Sequence, residues 1–186
     1  MKTKAKGFTV IETIITLAIT VVVLGSIYFF FLTSNKTLTS TQINSQLQSE
    51  AEIIQNNILK IGDEAIGLSS IYSEGHNVID KKYKDFSPSL GNKLTINSLE
   101  FKSGSEAAYS INKVKYENEI LTVNDSVISK NVAEFKVRPL DLNMVDSSEG
   151  KFFNTTGLEF SIKLIKSRGY SKVEYPLTII VKFRNK

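Results

Sequence analysis

The 186 residues suffice for one globular domain plus an extension, and their composition is that of a folded protein. The absence of cysteine excludes disulfides, thiol catalysis and thiolate metal sites, and a single histidine leaves no set for zinc. The formal charge of +4 shrinks to +1 once Lys2, Lys4 and Lys6 are set aside, so the basic balance is no argument for a nucleic-acid partner.

Residues 1–7 form a short basic leader. Residues 8–32, FTVIETIITLAITVVVLGSIYFFFL, are apolar save for one charge, Glu12. At about 1.5 Å per residue, roughly 20 helical residues cross a bilayer core, so this run is long enough to span. The lysines ahead of it predict an N-terminus held in the cytoplasm. A secretory signal would be shorter and end in a small-x-small cleavage site, whereas TSNKTLTSTQ follows here. A plain signal anchor leaves Glu12 unexplained. A carboxylate within hydrocarbon costs about 2.5–3.5 kcal/mol on insertion scales, and the run contains no basic side chain to offset it. Cleavage after Gly7 would create one: the new α-amino group of Phe8, which could pair with Glu12 of a neighbouring copy.

KGFTVIE, residues 6–12, resembles the prepilin peptidase site of type IV pilins and type II secretion pseudopilins. The resemblance covers residues 1 to about 32. It implies cleavage between Gly7 and Phe8, N-methylation of Phe8, a role for Glu12 in assembly, and a peptidase and other pilin subunits as partners. It also implies a single-pass protein of the bacterial cytoplasmic membrane that later joins an extracellular pilus or pseudopilus, with membrane lipid around it before assembly. One departure is the absence of a mid-helix proline; Phe29 stands where many members carry it, which points to a straighter or differently melted helix.

Ile43, Leu47, Ala51, Ile54, Ile58, Ile61 and Ala65 recur at helical spacing, with Gln42, Ser45, Gln46, Ser49, Asn56 and Lys60 opposite. An amphipathic continuation over 33–67 is therefore expected, ending near Gly62 and Gly67. Thr33–Thr41 is either helix held by its neighbours or a joint, because its helix propensity is low. Residues 68–92 read as loop. Beyond them strands dominate: one through Leu94, Ile96, Leu99 and Phe101, a hairpin of Tyr109–Tyr116 with Ile120–Val123, then Val127–Val132 and Phe135–Val137. A closing antiparallel hairpin spans Leu158–Leu164 and Val173–Phe183, turning at Arg168-Gly169. The expected class is α+β, a long N-terminal helix packed on a mainly antiparallel sheet domain at 68–186. SKNVAEFKVRPLD, residues 129–141, is similar to the J/PilW-like minor pilins, which implies initiation at a filament tip.

Chemistry is sparse. His76 sits in a polar loop with no nucleophile marked beside it. Asp141–Glu149 lacks the spacing and glycine of a calcium loop, and Asp63-Glu64 reads as a polar helix end. No catalytic residue, cofactor or metal ligand is expected. Lys81, Lys82 and Lys84 with Tyr83 and Phe86 could grip single-stranded nucleic acid, although Asp80 and Asp85 dilute the cluster. The sequence thus favours a structural subunit over a DNA-uptake pseudopilin, and both over a membrane-anchored enzyme.

Overall fold

A computed structural model describes residues 9–82, 93–105, 108–140 and 151–184. The chain divides into two units, Met1–Gln42 and Ile43–Lys186. Helix α1, Val10–Glu64, contributes to both.

In the first unit the apolar run is helical throughout, and its side chains are exposed, from Val10 to Leu32. An 18-residue window of the helix has a mean hydropathy of 2.5, long and apolar enough to cross a membrane. Its hydroxyls are not left bare. Thr13, Thr16, Thr20 and Ser26 each donate to the carbonyl four residues earlier, at 2.7–3.3 Å. These bonds hide the hydroxyls from hydrocarbon, where an unpaired polar group is expensive. The same device runs through the threonine-rich stretch: Thr33, Thr37, Thr39 and Thr41 donate to Phe29, Thr33, Asn35 and Thr37. Thr33–Thr41 is helix, which settles the two options its propensity left open.

In the second unit the apolar stripe does what its spacing predicts. Ile43, Leu47, Ala51, Ile54, Ile58 and Ile61 are buried, and the polar residues of the opposite face are exposed. The helix stops at Glu64, and strand β1 (Ala65–Ser73) begins at the next residue. The expected helix to residue 67 and loop from 68 are therefore both corrected. Ala65 is buried as the stripe required, but from a strand. In β1 the buried positions follow no clean period of two because the register slips twice against its neighbour, which obscured the strand in the sequence.

All described strand pairs are antiparallel, in two sheets. The strands are β2 (His76–Asn77), β3 (Leu94–Thr95), β4 (Ser98–Ser105), β5 (Ala108–Glu117), β6 (Ile120–Val123), β7 (Ser126–Ser129), β8 (Val132–Pro139), β9 (Gly157–Arg168) and β10 (Ser171–Lys182). The first sheet runs β2-β1-β4-β5-β6-β7 and the second β10-β9-β8-β3. The single strand expected from Leu94 to Phe101 is split between them. Ile96 donates its N–H to Phe135 of β8 at 3.2 Å, while Asn97 donates to Tyr72 of β1 and accepts from Tyr116 of β5, at 2.8 and 2.7 Å. Two adjacent residues thus stitch one sheet to the other.

Tight turns set the hairpins. Asn118-Glu119 and Asn124-Asp125 form two-residue loops with positive φ at both positions, the type I′ pattern that matches strand twist. Rings then join the layers. Tyr116, Phe135, Phe160, Phe101 and Phe183 form a chain of contacts with centroids 5.8–6.5 Å apart, passing from the first sheet to the second and back. Helix residues 43–64 pack into the same core.

Candidate functional site: the first turn of the N-terminal helix

Thr9 precedes the first helical residue, and Glu12 lies three positions on. The Glu12 carboxylate accepts from the backbone N–H and from the hydroxyl of Thr9, each at 2.8 Å, and the Thr9 hydroxyl lies 3.3 Å from the Glu12 backbone N–H, which donates to it. This is a reciprocal capping box. Its T-x-x-E signature stands in the sequence as TVIE, a local signal for Thr9 that reading the run by charge alone does not reach. The run still offers Glu12 no basic side chain, but Thr9 supplies its carboxylate with two donors. The charge also sits at the positive end of the helix dipole, where an acidic group is favoured. Both effects reduce what it costs to carry Glu12 into an apolar segment.

Gly7, Phe8 and the leader lysines Lys2, Lys4 and Lys6 lie outside the described residues. On the helix face beyond the box, Thr13, Thr16 and Thr20 alternate with Leu17, Val21 and Leu24 along one shallow groove. The α1 backbone is helical past Gly25-Ser26 and Phe29.

The other candidates fall apart as sites. His76 is exposed at the edge strand β2. Asp63 and Glu64 are exposed at the helix end, and Glu64 lines an open cleft with Ser103, Gly104, Ser110 and Arg184. Lys82 bridges to Lys151, whereas Tyr83, Lys84, Asp85 and Phe86 lie outside the described residues, as does Asp141–Glu149. Among the described residues no group of three acidic, histidine or cysteine side chains is placed to hold a metal.

The most enclosed charge was not legible in the sequence. Glu159 of β9 is buried, with Lys93 at 2.8 Å on one carboxylate oxygen and the Arg138 guanidinium on the other, through Nε at 2.8 Å. Burial pushes its carboxyl up, but the hydrogen bonds from Lys93 and Arg138 outweigh burial and hold it below the ordinary 4.5. A second polar cluster ties helix to sheet: Ser129 and the Asn131 amide donate to Glu50, at 3.0 Å and at 2.8 and 2.9 Å. Both clusters pair their charged and polar groups across separate elements, which ties those elements together.

Residues 2–28 match the prokaryotic N-terminal methylation motif, the prepilin signal of type IV pilins. The chain carries the N-terminal signal of type IV pilin-like proteins, which supports that family for it. No curated protein and no solved structure matches it. The motif, the long helix and the antiparallel sheets agree with a pilin or pseudopilin-type subunit anchored in a bacterial membrane. For a pilin-like protein the motif implies processing by prepilin peptidase and assembly with other pilins.

Proposed function

We propose that this pilin-like protein is a minor structural subunit of a type IV pilus or related pseudopilus. Prepilin peptidase cuts between Gly7 and Phe8, Phe8 is N-methylated, and residues 8–32 hold the subunit in the cytoplasmic membrane with its N-terminus inside. The domain beyond residue 42 is translocated and ends on an extracellular filament. The observation that carries this reading is the methylation motif at 2–28, with Glu12 presented on the first turn of an exposed apolar helix. The Thr9 box leaves room for assembly chemistry. Both donors from Thr9 reach the same carboxylate oxygen, Oε2, so Oε1 can still accept from the amino terminus of a neighbour. Minor rank is favoured by a sizeable two-sheet domain and by a helix without the mid-segment proline.

The test is intact mass from the native membrane, with and without the peptidase. Loss of residues 1–7 plus one methyl group only when the peptidase is present supports the proposal; an uncut chain in both cells rejects it. Subunit counting in purified filaments separates the ranks, since a dominant band would make this a major pilin.

A further inference from the structure

Within the second unit, side chains from three places in the chain meet at one carboxylate. Glu50 belongs to α1, Asn131 precedes β8, and Lys166 belongs to β9. The Asn131 amide nitrogen donates to both oxygens of Glu50, at 2.9 Å to Oε1 and 2.8 Å to Oε2. The Lys166 Nζ lies 3.7 Å from the same Oε1. Ser129 donates to Oε2 at 3.0 Å. The amide nitrogen of Asn131 and the amine nitrogen of Lys166 thus converge on a single carboxylate oxygen.

The backbone holds these groups in place. The Ile165 N–H donates to the Asn131 carbonyl at 2.8 Å, which sets Asn131 against the residue just before Lys166. Beside them Val132 and Leu164 pair across β8 and β9 and are fully buried, as is Leu47, one helical turn before Glu50. The cluster therefore stands at the margin of the core, with the Glu50 side chain 23% exposed and that of Lys166 33%. An ordinary ion pair needs only the acid and the base. Here the Asn131 amide, whose carbon is an electrophile, is held on the same acid.

We propose that Lys166 and Asn131 condense into an intramolecular amide, with Glu50 as the proton carrier. Glu50 takes a proton from the Lys166 ammonium, and the freed Nζ attacks Cγ of Asn131. The Nζ–Cγ bond forms and the Cγ–Nδ2 bond breaks. Both protons that Lys166 gives up end on the departing nitrogen, so one ammonium ion leaves, Glu50 returns to its carboxylate, and no oxidant or co-reactant is needed. A carboxylate that touches both the attacking and the leaving nitrogen is placed for this transfer. Well-oriented intramolecular reactions reach effective concentrations on the order of 10⁵–10⁸ M. The bond forms once per chain, so a slow reaction suffices. It would join the start of β8 to β9 covalently in a protein without cysteine.

The test is mass spectrometry of the full chain, made in cells without prepilin peptidase so that leader processing does not alter the mass. The protein is purified in detergent, shown to be folded by near-ultraviolet circular dichroism, and held for days at neutral pH. Expected is an intact mass lower than the sequence requires by one ammonia. Trypsin cannot cut at a linked Lys166, so it should release residues 131–136 joined to residues 164–168. Lys166→Arg keeps a cation beside Glu50, and Glu50→Gln keeps an acceptor for Ser129 and Asn131 but no base. Both variants should fold and keep the full mass; if Glu50→Gln does not fold, the joined peptide and Lys166→Arg decide. Full mass in the folded parent chain overturns the proposal and leaves the cluster an ion pair. So does a loss of ammonia that persists in Lys166→Arg, which would be a cyclic imide formed by Asn131 with its own backbone. A joined peptide that survives Glu50→Gln overturns the role given to Glu50.

Discussion

A carboxylate five residues into a membrane segment is tolerable when donors travel with it, and Thr9 is such a donor. Removing its hydroxyl should fray the first turn by about 1 kcal/mol, the usual worth of such a cap. In Thr9→Val the amides of Ile11, Glu12 and Thr13 should exchange faster with deuterium in micelles while cleavage after Gly7 continues. Unchanged exchange would mean that the box does not form in lipid. Glu12→Ala goes further: processing and insertion should persist, but incorporation into filaments should fall sharply, read as the fraction of subunit in sheared fibres. In the domain, Glu159 governs acid stability. Its carboxyl is held below 4.5, so its contribution is complete above that value and fades as pH falls through the lower, folded one. Urea midpoints measured in detergent should fall from about pH 5 to about pH 3, and fall less steeply in Glu159→Gln. Glu159→Ala leaves Lys93 and Arg138 facing each other and should cost about 1–3 kcal/mol at neutral pH. No composition or period announced this cluster, because its members come from residues 93, 138 and 159 and meet only through strand pairing.

Elements differ in how openly the sequence declared them. The buried stripe of α1 was plain because its opposite face is polar apart from Ile53, and the closing hairpin was plain because Leu158, Phe160, Ile162 and Leu164 alternate on one buried face. β1 was hidden by its bulges, and the division of Leu94–Phe101 between sheets left no trace, since both halves alternate alike. Two positions carry information that patterning cannot give. Gly62 sits within a helix, where glycine costs about 1 kcal/mol against alanine. A Cβ there would lie 1.9 Å from Cγ1 of buried Val181. Gly62→Ala should therefore destabilise by about 1–3 kcal/mol despite its better propensity, and Val181→Ala should lose less in that background than alone. Pro176 is the other. β10 is a twelve-residue edge strand, a template for another chain. Proline has no N–H, so at Pro176 the free edge lacks a donor mid-strand. Pro176→Thr should restore it and raise concentration-dependent self-association by sedimentation, with little change in melting temperature.

At the scale of the molecule, the division of labour lies within one helix. Every buried apolar residue of the core lies at or beyond Ile43, and the apolar side chains of the first unit from Val10 to Leu32 are exposed. Residues before 43 should therefore contribute to location and assembly, not to stability of the domain. A fragment of residues 40–186 should be soluble without detergent and melt cooperatively within a few degrees of the full chain. Residues 65–186 should behave oppositely. Losing the helix removes Ile43, Leu47, Ile54, Ile58 and Ile61, at about 1.5–3 kcal/mol each, from a domain whose net stability is on the order of 5–15 kcal/mol. It also strips Glu50 from Ser129 and Asn131. That fragment should be unfolded by near-ultraviolet circular dichroism and should aggregate through the exposed inner faces of both sheets. A folded 65–186 fragment would show that the sheets close on each other without the helix, and the helix would then be an anchor laid against a finished domain. An unfolded one makes residues 43–64 part of the core and part of the filament segment at once. Thermal unfolding of the domain would then pull on the same helix that carries Glu12, so core variants such as Leu47→Ala should lower filament incorporation in proportion to their loss of stability.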